Sequence, residues 1–84
     1  MKVEIVRSAQ KEIEGLPSEV TSRVQAKVAA LADDPMPRDS IKLRGSNYRV
    51  RVGDYRIIYN IDRVEQVLIV TKVRHRGHVY KRRA

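Results

Sequence analysis

The residues able to do chemistry lie in two places. Segment 48–61 reads YRVRVGDYRIIYNI and carries Arg49, Arg51 and Arg56 at alternating positions around Gly53-Asp54. The C-terminal stretch carries Arg74, His75, Arg76, His78, Tyr80 and Lys81. Arginine presents a planar fork of donors that matches phosphate oxygens two at a time. Histidine, with an ordinary pKa near 6.5, exchanges protons at neutral pH and suits general acid or base work. A tyrosine near 10 becomes a usable base only where surrounding cations lower its pKa. His75 and His78 are three residues apart, and that spacing alone does not make them converge. The chain has no cysteine, so it holds no disulfide and no thiolate metal site.

Positioning these groups falls first to residues 48–61. Gly followed by Asp suits a two-residue type II′ turn between antiparallel strands. Counting outward, Val52 faces Tyr55, Arg51 faces Arg56, Val50 faces Ile57, Arg49 faces Ile58 and Tyr48 faces Tyr59. Side chains alternate between the faces of a strand. One face therefore holds Tyr48, Val50, Val52, Tyr55, Ile57 and Tyr59. The other holds Arg49, Arg51 and Arg56 beside Ile58. Like charges directly opposed across two strands are destabilising, so stability alone does not select Arg51 opposite Arg56. Two readings of that face stand: a built anion site, or a solvated basic surface softened by carboxylates such as Asp54.

The whole chain sets the class. Its 84 residues make one small domain, 1–84, burying roughly 60–65% of its unfolded surface. The net charge is +8 with one-third of residues charged, a balance expected of a protein that meets a polyanion or an acidic protein. No run approaches transmembrane length and no signal-peptide core opens the chain, so a soluble, cytoplasmic protein with no membrane partner is expected. All four aromatics are tyrosine, which argues against a base-stacking platform.

Residues 1–6 alternate around Val3 and Ile5 as a short first strand. Ser8 is placed to cap a helix with Ala9, Ile13 and Leu16 on one stripe, ended by Gly15 and Pro17. Ser18 opens a second helix with Val20, Val24, Val28 and Leu31 on its apolar stripe. Asp33-Asp34-Pro35 stops it. Residues 34–46 form a loop broken by Pro35, Pro37 and Gly45, and Lys42 and Arg44 add positive charge there. After the hairpin, residues 66–73 form a last strand, apolar on both faces at its start. The order β-α-α-β-β-β predicts an α+β fold, with a helical hairpin on one face of a curved, mainly antiparallel four-stranded sheet. The arginines then lie on the uncovered face.

Several of these features together resemble the RelE/ParE superfamily of toxins over nearly the whole chain: the leading strand, the hairpin ending in Asp33-Asp34-Pro35, the lead-in Ile41-Lys42-Leu43-Arg44-Gly45, the segment YRVRVGDYRIIYNI, and the ending His75-Arg76-Gly77-His78-Val79-Tyr80. Chain length and the His-Arg to Val-Tyr ending look more like the RelE-type branch. The resemblance implies the toxin of a type II toxin–antitoxin system. It implies a metal-independent, cofactor-free endoribonuclease that cuts messenger RNA on the ribosome by 2′-hydroxyl attack on the adjacent phosphate. It also implies a cognate acidic, RelB-like antitoxin.

Carried over residue by residue, the resemblance puts the catalytic roles on Arg56, Arg76 and Tyr80, with His75 a further acid–base candidate. The same carry-over gives phosphate contacts to Arg49 and Arg51, with Arg74 the alternative to Arg76 for the basic position after the last strand, while Lys42, Arg44 and Lys81 are RNA-contact candidates by their charge alone. In several RelE-type members the first hairpin strand carries lysines, one of which is a candidate proton acceptor. Arginine cannot deprotonate in a protein, which leaves Tyr80, His75 or His78 for that task. Two alternatives share the fold: a ParE-like poison of DNA gyrase, which needs no acid–base residues, and a non-catalytic member that binds antitoxin or RNA.

Overall fold

The computed structural model describes residues 1–75. In chain order they form β1 (Lys2–Ile5), α1 (Arg7–Glu14), α2 (Ser18–Asp33), β2 (Ile41–Lys42), β3 (Asn47–Val52), β4 (Tyr55–Asp62) and β5 (Val67–His75). The strands make one sheet in the order β1-β5-β4-β3-β2. β1 runs parallel to β5, with Lys2 opposite Val67 and Ile5 opposite Val70. The remaining pairs are antiparallel.

The sheet has five strands where the sequence suggests four. The addition is β2, two residues within the expected loop, with Ile41 opposite Arg49 and Lys42 opposite Tyr48. Two residues leave no alternating pattern to read, and both are exposed. A second departure is the start of α1. Ser8 does not cap it: the helix begins at Arg7 after Val6, with no side-chain cap. Val6 N–H donates to the Val70 carbonyl at 3.0 Å, so the chain turns into the helix directly as it leaves the sheet. Gly15 closes α1, its N–H donating to Lys11 O at 3.1 Å. α2 ends at the expected place, with Asp34 N–H donating to Ala30 O at 3.0 Å.

The core lies between the helices and one sheet face. Ala9 and Ile13 come from α1, and Val24, Val28 and Leu31 from α2. The sheet adds Tyr48, Val50, Val52, Ile57, Tyr59, Ile61, Leu68, Val70 and Val73. Tyr48 and Tyr59 stack at 5.7 Å between ring centroids. The Tyr59 hydroxyl donates to Pro35 O at 2.8 Å, tying the loop after α2 to the central strand. Burial pushes the Tyr59 hydroxyl above its ordinary pKa, so it stays protonated and donating. No polar or charged residue is buried among those described. With the apolar side chains on the helix side, the charged ones gather on the other face.

Candidate functional site

The hairpin register matches the count made from Gly53-Asp54 at every pair from Tyr48–Tyr59 to Val52–Tyr55. Gly53 takes φ +59°, and Asp54 is not among the positive-φ residues. That combination is the type II′ pattern, in which only the first turn residue needs the left-handed side. Arg49, Arg51 and Arg56 consequently share the sheet face away from the helices.

β5 extends that face. Arg56 sits between Arg51 on β3 and Arg74 on β5, so three arginines stand in register across three adjacent strands. In the next row Ile58 sits between Arg49 and Lys72. Directly opposed residues of antiparallel strands lie only about 4.5–5.5 Å apart at Cα. Among the described residues Arg49, Arg51 and Arg56 have no carboxylate within ion-pair distance. Asp62, a natural partner for Arg56, is engaged in its own turn: Oδ1 accepts from Val64 N at 3.1 Å and Glu65 N at 3.0 Å. Arg56 Nε is buried without a hydrogen-bond partner among the described residues. Charge concentrated and left unsatisfied in this way is poor for stability and well suited to an incoming anion.

The phase of β5 depends on a bulge. Tyr59 pairs with Val70 but Ile58 pairs with Lys72, leaving Thr71 as the extra residue. Thr71 Oγ1 donates to Ile58 O at 3.1 Å and stitches the irregularity. Strict alternation from Leu68 and Val70 would turn Lys72 and Arg74 into the core. The bulge shifts the phase by one residue, so Val73 is buried and Lys72 and Arg74 leave the strand on the arginine side, Arg74 with its Nε carried to the β5 edge by Glu12 of α1. Lys72 escapes a reading by alternation. The signal that would find it is the polar pair Thr71-Lys72 between buried Val70 and Val73, where an unbroken strand would bury a lysine.

The same shift places His75 on the helix side. It pairs with Tyr55, and the rings meet edge to face at 4.8 Å between centroids. His75 is therefore across the sheet from Arg56 and is not brought together with the arginines. Arg44 precedes β3 at the end far from the Gly53 turn, where its carbonyl accepts from Asn47 N at 3.0 Å. Lys42 lies on edge strand β2 opposite core-facing Tyr48. Neither adjoins the Arg51–Arg56–Arg74 row. Arg76, His78, Tyr80 and Lys81 lie outside the described residues.

A hollow of about 250 Å³ borders the arginines, lined by Asp39, Ile41, Arg49 and Arg51. Lys27 Nζ donates to Asp39 Oδ2 at 2.9 Å, and that bond holds the Asp39 carboxyl below the usual range. The hollow thus sets the guanidiniums of Arg49 and Arg51 beside a carboxylate already engaged by Lys27, leaving the two arginines as its donors for an anion.

Comparison with known proteins gives the family. The family model described as ParE toxin of type II toxin-antitoxin system, parDE, matches residues 3–80. A relative from Methanocaldococcus jannaschii named RelE1 is 29% identical, over 94% of this chain and 93% of its own. Among solved structures, a chain of the archaeal RelE–RelB complex from Pyrococcus horikoshii OT3 is 34% identical with TM-score 0.82, covering 90% of this chain and 94% of that one. A chain of the toxin–antitoxin complex RelBE2 from Mycobacterium tuberculosis is 25% identical with TM-score 0.79, covering 89% and 96%. The chain belongs to the ParE toxin family of type II toxin–antitoxin systems, as a RelE-type member of the RelE/ParE superfamily.

Proposed function

We propose that this toxin is a metal-independent endoribonuclease that cuts messenger RNA on the ribosome and so stops translation in the cytoplasm. The observation that carries the reading is the in-register row Arg51–Arg56–Arg74, whose first two members have no carboxylate partner among the described residues. The reaction forms a bond between a ribose 2′-oxygen and the adjacent phosphorus and breaks the bond to the 5′-oxygen. The products are a 2′,3′-cyclic phosphate and a 5′-hydroxyl end. Negative charge grows on the non-bridging oxygens in the transition state, and fixed cations aimed at it lower the barrier by several kcal/mol. Arg56, flanked by arginines on both sides, meets that charge. Arg49, Arg51 and Lys72 hold the flanking backbone.

The described face supplies mainly charge, and Lys72 is its one side chain able to exchange a proton. None of its arginines can accept a proton, and His75 faces the other way. Taking the 2′-proton and giving one to the 5′-oxygen then fall to Lys72 or to Tyr80 and His78, which follow β5 in the sequence, while Arg76 would stabilise the charge of the leaving 5′-oxygen. A RelB-like antitoxin, as in the RelE–RelB complexes this chain resembles, is the silencing partner, in a hetero-oligomeric complex. An acidic partner would cover a face with so high a density of arginine.

The test is incubation of the purified chain with messenger RNA, free and on programmed ribosomes, followed by mapping of the ends. Cyclic phosphate and 5′-hydroxyl ends appearing with programmed ribosomes and not with free RNA support the reading. Intact RNA together with inhibited DNA supercoiling would move the chain to the gyrase-directed reading.

A further inference from the structure

We propose that Glu12 is a positioning residue for the arginine face, holding Arg74 at its rim through contacts to both the backbone and the guanidinium of β5; this rests on the nuclease reading above. The need for it follows from the topology. β1 covers β5 only as far as Val70. Beyond that point the outer edge of β5 has no neighbouring strand, although the strand runs on to His75. An uncovered edge leaves backbone donors unpaired and the strand end free to fray.

α1 closes that gap with one carboxylate. Glu12 Oε1 accepts from Val73 N–H at 2.9 Å. Oε2 lies 2.7 Å from Arg74 Nε. That second contact lacks the alignment of a hydrogen bond, so it is an ion pair. The two side chains are 27% and 36% exposed, enough cover to limit solvent screening without removing it. Arg74 is the one arginine of the row with a carboxylate partner, among the described residues.

Two consequences follow. Drawing the Arg74 guanidinium to the β5 edge separates it from Arg56, which its backbone register would otherwise crowd. Engaging Nε also leaves the two Nη groups as the donors without a partner among the described residues, on a side chain of fixed direction. A guanidinium fixed before the phosphate arrives loses less freedom on binding it. Glu12 acts through Arg74 and touches no substrate.

The opposing account makes Glu12 a plain counter-ion, which only weakens RNA binding. Four full-length proteins separate the two: wild type, Glu12→Gln, Arg74→Ala and the double variant. Glutamine keeps an oxygen for Val73 N–H and loses the charge that holds Arg74. Removing one carboxylate raises the net charge of +8 by one, so an RNA with a 2′-deoxy cleavage site should bind Glu12→Gln equally or more tightly. Single-turnover cleavage should nonetheless fall about tenfold, and Glu12→Gln should cost less than about twofold once Arg74 is alanine. The Arg74 Nε–H resonance should be distinct in wild type, shift on adding inorganic phosphate, and merge with the exposed arginines in Glu12→Gln.

Faster or unchanged cleavage with tighter binding would overturn the positioning role. So would an equal loss in both Arg74 backgrounds, or an Arg74 resonance indifferent to the substitution. If wild type cuts no RNA, the nuclease reading fails. The phosphate titration of the Arg74 resonance then still decides whether Glu12 presents that guanidinium to an anion.

Discussion

Replacing Arg56 by methionine should make the protein more stable and inactive. Arg56 faces Arg51 on one side and Arg74 on the other. Each directly opposed like-charged pair costs some ~0.2–1 kcal/mol, and the pull of Glu12 on Arg74 puts the second pair at the low end. Arg56 Nε is also buried without a partner among the described residues, a desolvation cost of about 1 kcal/mol or more. Methionine keeps an unbranched apolar stem of similar reach and removes both penalties. Against this stands the lost packing of the outer guanidinium. The net gain should be about 1 kcal/mol, which for a domain of this size raises the melting temperature by roughly 4–8 °C.

Salt provides the internal control. Screening reaches about 10 Å at 0.1 M salt and about 3 Å at 1 M. Wild type should therefore gain more from salt than Arg56→Met, and the difference between them should narrow. Thermal melting of both proteins at low salt and at 1 M salt measures this. A variant that melts below wild type at every salt concentration would refute the claim that the arginine row is held against its own repulsion.

Other outcomes follow from the same structure. Tyr59→Phe removes the 2.8 Å bond to Pro35 O and should cost about 1 kcal/mol in melting experiments. Because burial raises the Tyr59 pKa, its contribution is complete below the unfolded value near 10 and fades as pH climbs through the higher folded value. The alkaline limb of stability against pH should accordingly be shallower in Tyr59→Phe. Gly53→Ala should destabilise by about 1–3 kcal/mol, since alanine resists φ +59° and its Cβ would sit 3.2 Å from Arg23 Nη2. Arg23→Ala should recover only the contact part of that loss, which a double-variant melt would show. Association with an acidic antitoxin should slow at least about tenfold between low and high salt in stopped-flow, because charge acts mainly on encounter. A rate indifferent to salt would remove electrostatic steering from the account.

Much of this was readable because β3 and β4 obey a period of two around a turn of distinctive chemistry. Val50 and Val52 alternate with Arg49 and Arg51, and Tyr55, Ile57 and Tyr59 with Arg56 and Ile58, so register and face followed from counting. α2 was equally plain, with Val24, Val28 and Leu31 at helical spacing and Asp34-Pro35 at its end. What escaped the sequence was set by neighbours. β2 is too short to show a pattern and exists because β3 offers it an edge. The bulge at Thr71 changed the faces of Lys72, Arg74 and His75, turning a catalytic histidine candidate toward the helices and adding a lysine to the site. Glu12 lies off the Ala9–Ile13–Leu16 stripe, a position that by periodicity alone faces solvent; the parallel placement of β1, which stops short on β5, is what brings it to Val73 and Arg74.

The most direct measurement is single-turnover cleavage of messenger RNA on programmed ribosomes by wild type, Arg56→Ala and Arg56→Lys, each also melted and titrated with antitoxin. Arg56→Ala should lose about a hundredfold or more in rate, while melting at or above wild type and binding antitoxin normally. Arg56→Lys should recover only part, because an ammonium cannot grip phosphate at two points. Cleavage by Arg56→Ala at the wild-type rate, in a protein that melts and binds as wild type does, would contradict the placement of the active site on this face.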